Sequence, residues 1–218
     1  MTRSTVRRPL VLAVTMVALV ALHARPVRGH HVGAYVPRDN EVSANFKQLK
    51  FSLQARKFEV ATRLFETGAL RRELRARAAR LPAGLETRIR EALRAGDVRV
   101  AETGLMVFFA ALIRELALDA DRMLAEAREP AGARVSSANK FLEAIWRYYN
   151  LVDFAVSERN PKAATGIRLA FDDAEGAAKA TPPAPERVRE PLQRIARVLG
   201  ELMTLAAADA ALDHAEHA

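Results

Sequence analysis

The chain contains no cysteine anywhere in its 218 residues. Disulfides, thiolate metal sites, iron–sulfur clusters, covalently attached c-type haem and a lipidated N-terminal cysteine are therefore excluded. Histidine is almost as restricted: His23, His30 and His31 lie near the start, His214 and His217 near the end, and none falls between residues 32 and 213. That gap removes a di-iron bundle site built on Glu-x-x-His motifs, a histidine-ligated haem inside the bundle, and a histidine-based triad there. Glycine-rich phosphate loops, a nucleophile elbow, a dinucleotide fingerprint and a calcium loop around a turn glycine are also missing. No segment alternates apolar and polar residues convincingly with period two, so no strand is predicted.

What is present begins with a leader. Residues 1–9 carry Arg3, Arg7 and Arg8 without an acid, and Leu10–Leu22 is apolar except for Thr15. A basic start, an apolar stretch of that length and a small residue before a cut make a secretory signal peptide. Thirteen residues rise only about 20 Å as a helix, too little for a bilayer core of about 30 Å. Cleavage after Gly29 is favoured over cleavage after Ala24 and would leave His30 first, in the periplasm or outside the cell. Five of the 34 basic residues and none of the 26 acids lie in those 29 residues, so the mature chain carries 29 against 26, a net +3. With so small an excess, and after export, nucleic acid is not an expected partner. The longest apolar run left, Gly104–Ile113, has ten residues, too short for an integral membrane segment after signal cleavage.

The rest reads as helix after helix, rich in Ala, Leu, Arg and Glu with apolar residues at spacings of three and four. An extended segment (30–42) leads into a helical bundle (43–180). The linker TPPAP (181–185) then sets off a last helix and a histidine-containing tail (186–218). Within the bundle, breaks are predicted at residues 81–84, at Gly96-Asp97, at Pro130 to Gly132, and at Asn160-Pro161. One helix is expected over 57–80, kinked at Gly68, and another capped by Ser137. Pro191 should strain the start of the last helix. The stretch LKFSLQARKFEVA (49–61) recurs forty residues on as IREALRAGDVRVA (89–101) with four identities; each copy is a helix end, a tight turn and a new helix. The expected fold class is all-α, a bundle of about six to seven helices in which αα-hairpin repeats are one plausible organisation.

Aromatic residues are only 6% of the chain, yet five of them fall in KFLEAIWRYYNLVDFAV, residues 140–156. Phe141, Ile145, Tyr148 and Val152 share one helical face, and further apolar residues are interleaved with polar ones on the other side, so the helix should be central and enclosed. Its polar residues then need partners, and Glu143 stands four before Arg147 in the favourable order. Two readings follow: a self-satisfied core network, which the pattern favours, or a pocket in which Arg147 binds a small anion. In the second, Trp146 and Tyr149 form the walls, and Glu143 and Asn150 stand beside them. Asp172, Asp173 and Glu175 are expected to be a solvated face paired with Arg168. The arginines of LRRELRARAARL (70–81) are likewise expected to be solvated.

Function points to binding rather than catalysis; buried carboxylates such as Glu102 or Glu143 are the acid–base candidates for an enzyme. The first reading is an exported soluble helical binding or scaffolding protein of the cell envelope, its partner another envelope protein or a small anionic ligand. The alternative is a periplasmic transition-metal (copper, nickel or zinc) protein. There the free amine and imidazole of His30, with His31, His214 and His217, would chelate copper or nickel. Expressed with its own leader, the chain should be recovered with an intact mass that starts at His30; a mass that retains residues 1–29 would refute cleavage.

Overall fold

The structure, a computed structural model, describes the backbone of residues 38–215 and side chains up to residue 208. The expected leader, His30, His31, His217 and the side chain of His214 lie outside the described residues, and with them the copper or nickel site. Eight α-helices and no strand occur among the described residues. They are α1 (Glu41–Gln54), α2 (Phe58–Thr67), α3 (Ala69–Ala76), α4 (Leu85–Ala95), α5 (Val98–Ala125), α6 (Ala131–Arg159), α7 (Pro161–Ala178) and α8 (Pro185–Ala215), with a 3-10 turn at Ala78–Arg80. The all-α bundle is as expected, with one more helix than the sequence pattern suggests.

The extra helix comes from a break at Gly68, where one kinked helix was expected. Gly68 has extended backbone angles (φ −85°, ψ 173°) that any residue can adopt. What excludes a side chain is space, because a Cβ there would lie 2.0 Å from Oδ1 of Asn45 and 2.3 Å from the Leu64 carbonyl. The buried carboxamide of Asn45 bridges the gap. Its Nδ2 donates to the Leu64 carbonyl at the end of α2 (3.1 Å), and its Oδ1 accepts the Leu70 N–H at the start of α3 (3.0 Å). Helix ends leave such groups without intrahelical partners, and one side chain here satisfies one from each helix.

Both copies of the sequence echo form the same turn. Arg56 and Gly96 take left-handed angles (φ 55° and 71°). The next N–H closes each turn on a carbonyl five residues back, Lys57 to Ser52 (2.8 Å) and Asp97 to Ala92 (2.9 Å). The two turns pack together, since a Cβ at Gly96 would meet the Phe58 ring at 3.1 Å. Helix α7 starts as expected, with the Asn160 side chain accepting the Ala163 N–H (3.0 Å) and Pro161 in the first turn. Helix α6, by contrast, begins at Ala131 and not at Ser137. The residues read as breakers, Pro130 and Gly132, sit at its entrance, where first-turn N–H groups need no helical acceptor. Helix α8 continues through Pro191 without interruption.

The centre of the bundle is α5, not the aromatic stretch of α6. Every residue from Gly104 to Ile113 is buried. Phe109 meets Phe46 of α1 edge-on (4.9 Å between centroids) and Tyr148 of α6 (5.7 Å). Helix α8 docks along α5 and α7, burying Val188, Leu192, Ile195, Leu199 and Leu202 at helical spacing.

The arginines of α3 and the 3-10 turn are not left to solvent alone. Arg72 reaches Glu41 of α1 (3.1 Å), Arg71 and Arg75 converge on Glu86 of α4 (2.7 and 3.1 Å), and Arg77 and Arg80 converge on Glu115 of α5.

Asn45→Ala would leave two backbone groups unsatisfied and should cost about 2–6 kcal/mol, at about 1–3 for each group. Gly68→Ala should cost about 1–3 kcal/mol from the clash, whereas Gly166→Ala, a helical position with open space around its Cβ, should be neutral or slightly stabilising. Urea unfolding midpoints of the three variants test this ranking.

Candidate functional site

The residues singled out on α6 do not gather around one pocket. Trp146 is buried, stacked on Phe171 of α7 (4.6 Å, 26° between planes) and close to Tyr149 (6.0 Å). The fully buried Tyr149 donates its hydroxyl to the Ala164 carbonyl (3.3 Å). Burial raises the hydroxyl pKa far above its ordinary value, and the Asp153 carboxylate raises it further. Glu143 and Arg147 do pair, at 3.4 Å, on a half-buried face, while Asn150 is exposed. The structure thus joins Trp146 to Tyr149 and Glu143 to Arg147, and leaves Asn150 apart.

Arg168 also differs from expectation. It faces α6 and grips Asp153 through Nε (3.0 Å) and Nη2 (2.6 Å), with Ser157 as a third acceptor (2.9 Å). Of the acids on its own helix, Asp173 pairs with Arg194 of α8 (2.7 Å), and Glu175 is buried and paired with Lys179 (2.6 Å). A planar guanidinium held at two points by a carboxylate is a fixed strut between α6 and α7. The aromatic cluster of α6 is therefore packed on α7, with Tyr149, Asp153 and Ser157 tied to it.

A strongly charged cleft lies elsewhere, between α5, α8 and the 3-10 turn. Its volume is about 300 Å³. Ala111, Leu118 and Met203 form the apolar lining, and Arg80, Arg114, Glu115, Asp119 and Arg122 supply the charge. Arg114, Leu118 and Arg122 are spaced by four along α5 and so share a face. Glu115 is held by Arg77 and by Arg80 (2.7 Å), and Arg122 pairs with Asp119. Burial pushes the Glu115 carboxyl up, but the guanidinium groups of Arg80 and Arg77 together outweigh it and hold it below the ordinary range.

Arg114 is the exception. It is exposed and makes no hydrogen bond or ion pair with any described residue. Its Nε would lie 3.4 Å from a Cβ at Gly200, so α8 passes close to it at a residue without a side chain. Sequence reasoning counted Glu115 and Asp119 among many carboxylates and passed over this arginine. The available signal was the Arg114-x3-Leu118-x3-Arg122 spacing.

No group of three or more His, Asp or Glu side chains is placed to hold a metal among the described residues. No family model, curated protein or solved structure matches this chain. The cleft is accordingly understood from its own residues.

The depressed folded-state pKa of Glu115 sets a sign for the pH dependence. Its stabilising contribution is complete above the ordinary glutamate value, about 4.3, and is lost as pH falls through the lower folded-state value. Stability measured by urea unfolding should therefore drop on the acid side. Glu115→Gln should be less stable than wild type at neutral pH and should show a smaller acid loss; an unchanged acid limb would remove Glu115 from the account.

Proposed function

We propose that this chain is an exported, soluble helical binding protein of the cell envelope, and that the cleft beside Arg114 holds a small anionic group of its ligand. The observation that carries the reading is the uncommitted guanidinium of Arg114, set between two arginines that are already oriented by Glu115 and Asp119. Arginine presents a planar fork of donors that matches a carboxylate or phosphate, and it stays charged at every physiological pH. Leu118 and Met203 beside it suit a ligand with an apolar portion next to the anion.

Binding fits the chemistry of the cleft better than catalysis. Its carboxylates are already engaged by arginines, Glu115 by Arg77 and Arg80 and Asp119 by Arg122, and no histidine lines the cleft to serve as a general base. The basic and apolar leader supports export, and no described helix is long and apolar enough to cross a membrane.

Calorimetric titration with inorganic phosphate and with succinate, at constant ionic strength, tests the assignment. Arg114→Ala should weaken binding by about tenfold or more, the loss of a charge-assisted hydrogen bond worth about 1.5–3 kcal/mol. The melting temperature of the unliganded protein should stay unchanged, because Arg114 is exposed. Absence of binding by both anions at millimolar concentration, or equal binding by the variant, would overturn the reading.

A further inference from the structure

The surface open to Arg114 extends beyond its cleft. At Gly200, helix α8 presents no side chain beside the arginine Nε. Arg114 therefore also borders an open shelf, lined by Gly200, Met203 and Ala207 of α8 and by Pro82 from the loop before α4. Pro82, Met203 and Ala207 in turn line a narrow hollow of about 50 Å³ between α4, α5 and α8. The floor of the hollow is apolar and buried, made by Leu85, Gly104, Val107 and Ala206. Met203 borders cleft, shelf and hollow alike, and its unbranched thioether adapts to what lies against it.

Charge along this path favours an anion. Around the hollow the charged residues are Arg88, Arg99 and Arg159, with Arg159 donating to the Thr103 hydroxyl, and no described acid lines it. In the cleft, Glu115 and Asp119 are already engaged by arginines. Glu201 also lines the shelf. One residue on from Gly200, it is turned about 100° away around α8, whereas Met203 and Ala207 stay on the side of Gly200.

We infer that the ligand of the Arg114 site is a free anionic amphiphile, an alkyl carboxylate or alkyl phosphate. Its head pairs with Arg114, and its chain crosses the shelf beside Met203 and ends in the hollow. The inference rests on the anion-binding role of Arg114 proposed above. A neutral chain would leave Arg114 without a partner, and a cationic one would be repelled at both ends. A hollow of about 50 Å³ admits one alkyl chain; a helix, about 10–12 Å across, does not enter it. There the chain leaves water against Leu85 and Val107, while arginine stems lie along it with their heads still hydrated.

Calorimetric titration of the full chain with butanoate and octanoate, beside inorganic phosphate, tests this. Octanoate should bind about tenfold or more tighter than butanoate, from its additional buried CH2 groups. Ala207→Trp, at an exposed residue, fills the mouth of the hollow. It should bring octanoate down to the affinity of butanoate and leave phosphate binding and the melting temperature unchanged. Phosphate binding with no gain from the longer chain would overturn the amphiphile and leave the Arg114 reading standing. Binding of neither phosphate nor octanoate would overturn both. An octanoate gain that survives Ala207→Trp would put the chain elsewhere and overturn the proposal. So would capture by phosphatidylglycerol vesicles without binding of free octanoate, which would assign the surface to a membrane.

Discussion

A helix that is apolar on every side has to be surrounded, and the run Gly104–Ile113 of α5 imposes this on the rest of the chain. Each buried Leu, Ile, Val, Met or Phe side chain contributes about 1.5–3 kcal/mol relative to exposure. A few of them together equal the whole net stability of a typical domain, about 5–15 kcal/mol. Helices α1, α4, α6 and α8 all pack directly on α5. The Arg114 cleft opens where this buried run ends, at the first exposed residue of α5 after Ile113.

Around that core, arginine rather than lysine does most of the electrostatic joining. Arg71 and Arg75 share Glu86, Arg77 and Arg80 share Glu115, Arg168 clasps Asp153, and Arg189 reaches Asp121 (2.8 Å). Each of these acids lies on a different helix from its arginines, so the pairs fix how helices sit against one another. Several are partly exposed, and such pairs add little stability individually. Their value lies in geometry, since a bidentate guanidinium has few acceptable positions. Against this background Arg114 stands out by its place, an arginine without a partner among the described residues that lines a cleft whose carboxylates are paired.

The number and kind of elements were largely legible in the sequence because helix punctuation is local. Asn160-Pro161 and Gly96-Asp97 act within a turn or two of themselves, and the echo of residues 49–61 in 89–101 reappears as two like turns. The misreadings are all non-local. The break at Gly68 depends on Asn45, more than twenty residues away, and only their contact shows why a helical pattern stops there. The aromatic stretch of α6 looked central because its composition is unusual, yet the plainer run of α5 has the position. The arginines of residues 71–80 are solvated as expected at Arg72, Arg75 and Arg80, but their acids lie on three other helices and so could not be read locally. Arg114 was missed for the converse reason: the absence of a partner is invisible until every neighbour has been placed.

Helix α8 supplies more of the packing on α5 than any other described element. All of that cover hangs on one short connection, residues 179–184 between α7 and α8. A cut there that released α8 would bare one long side of the most apolar helix, so α8 belongs to the core and is not an appendage to it.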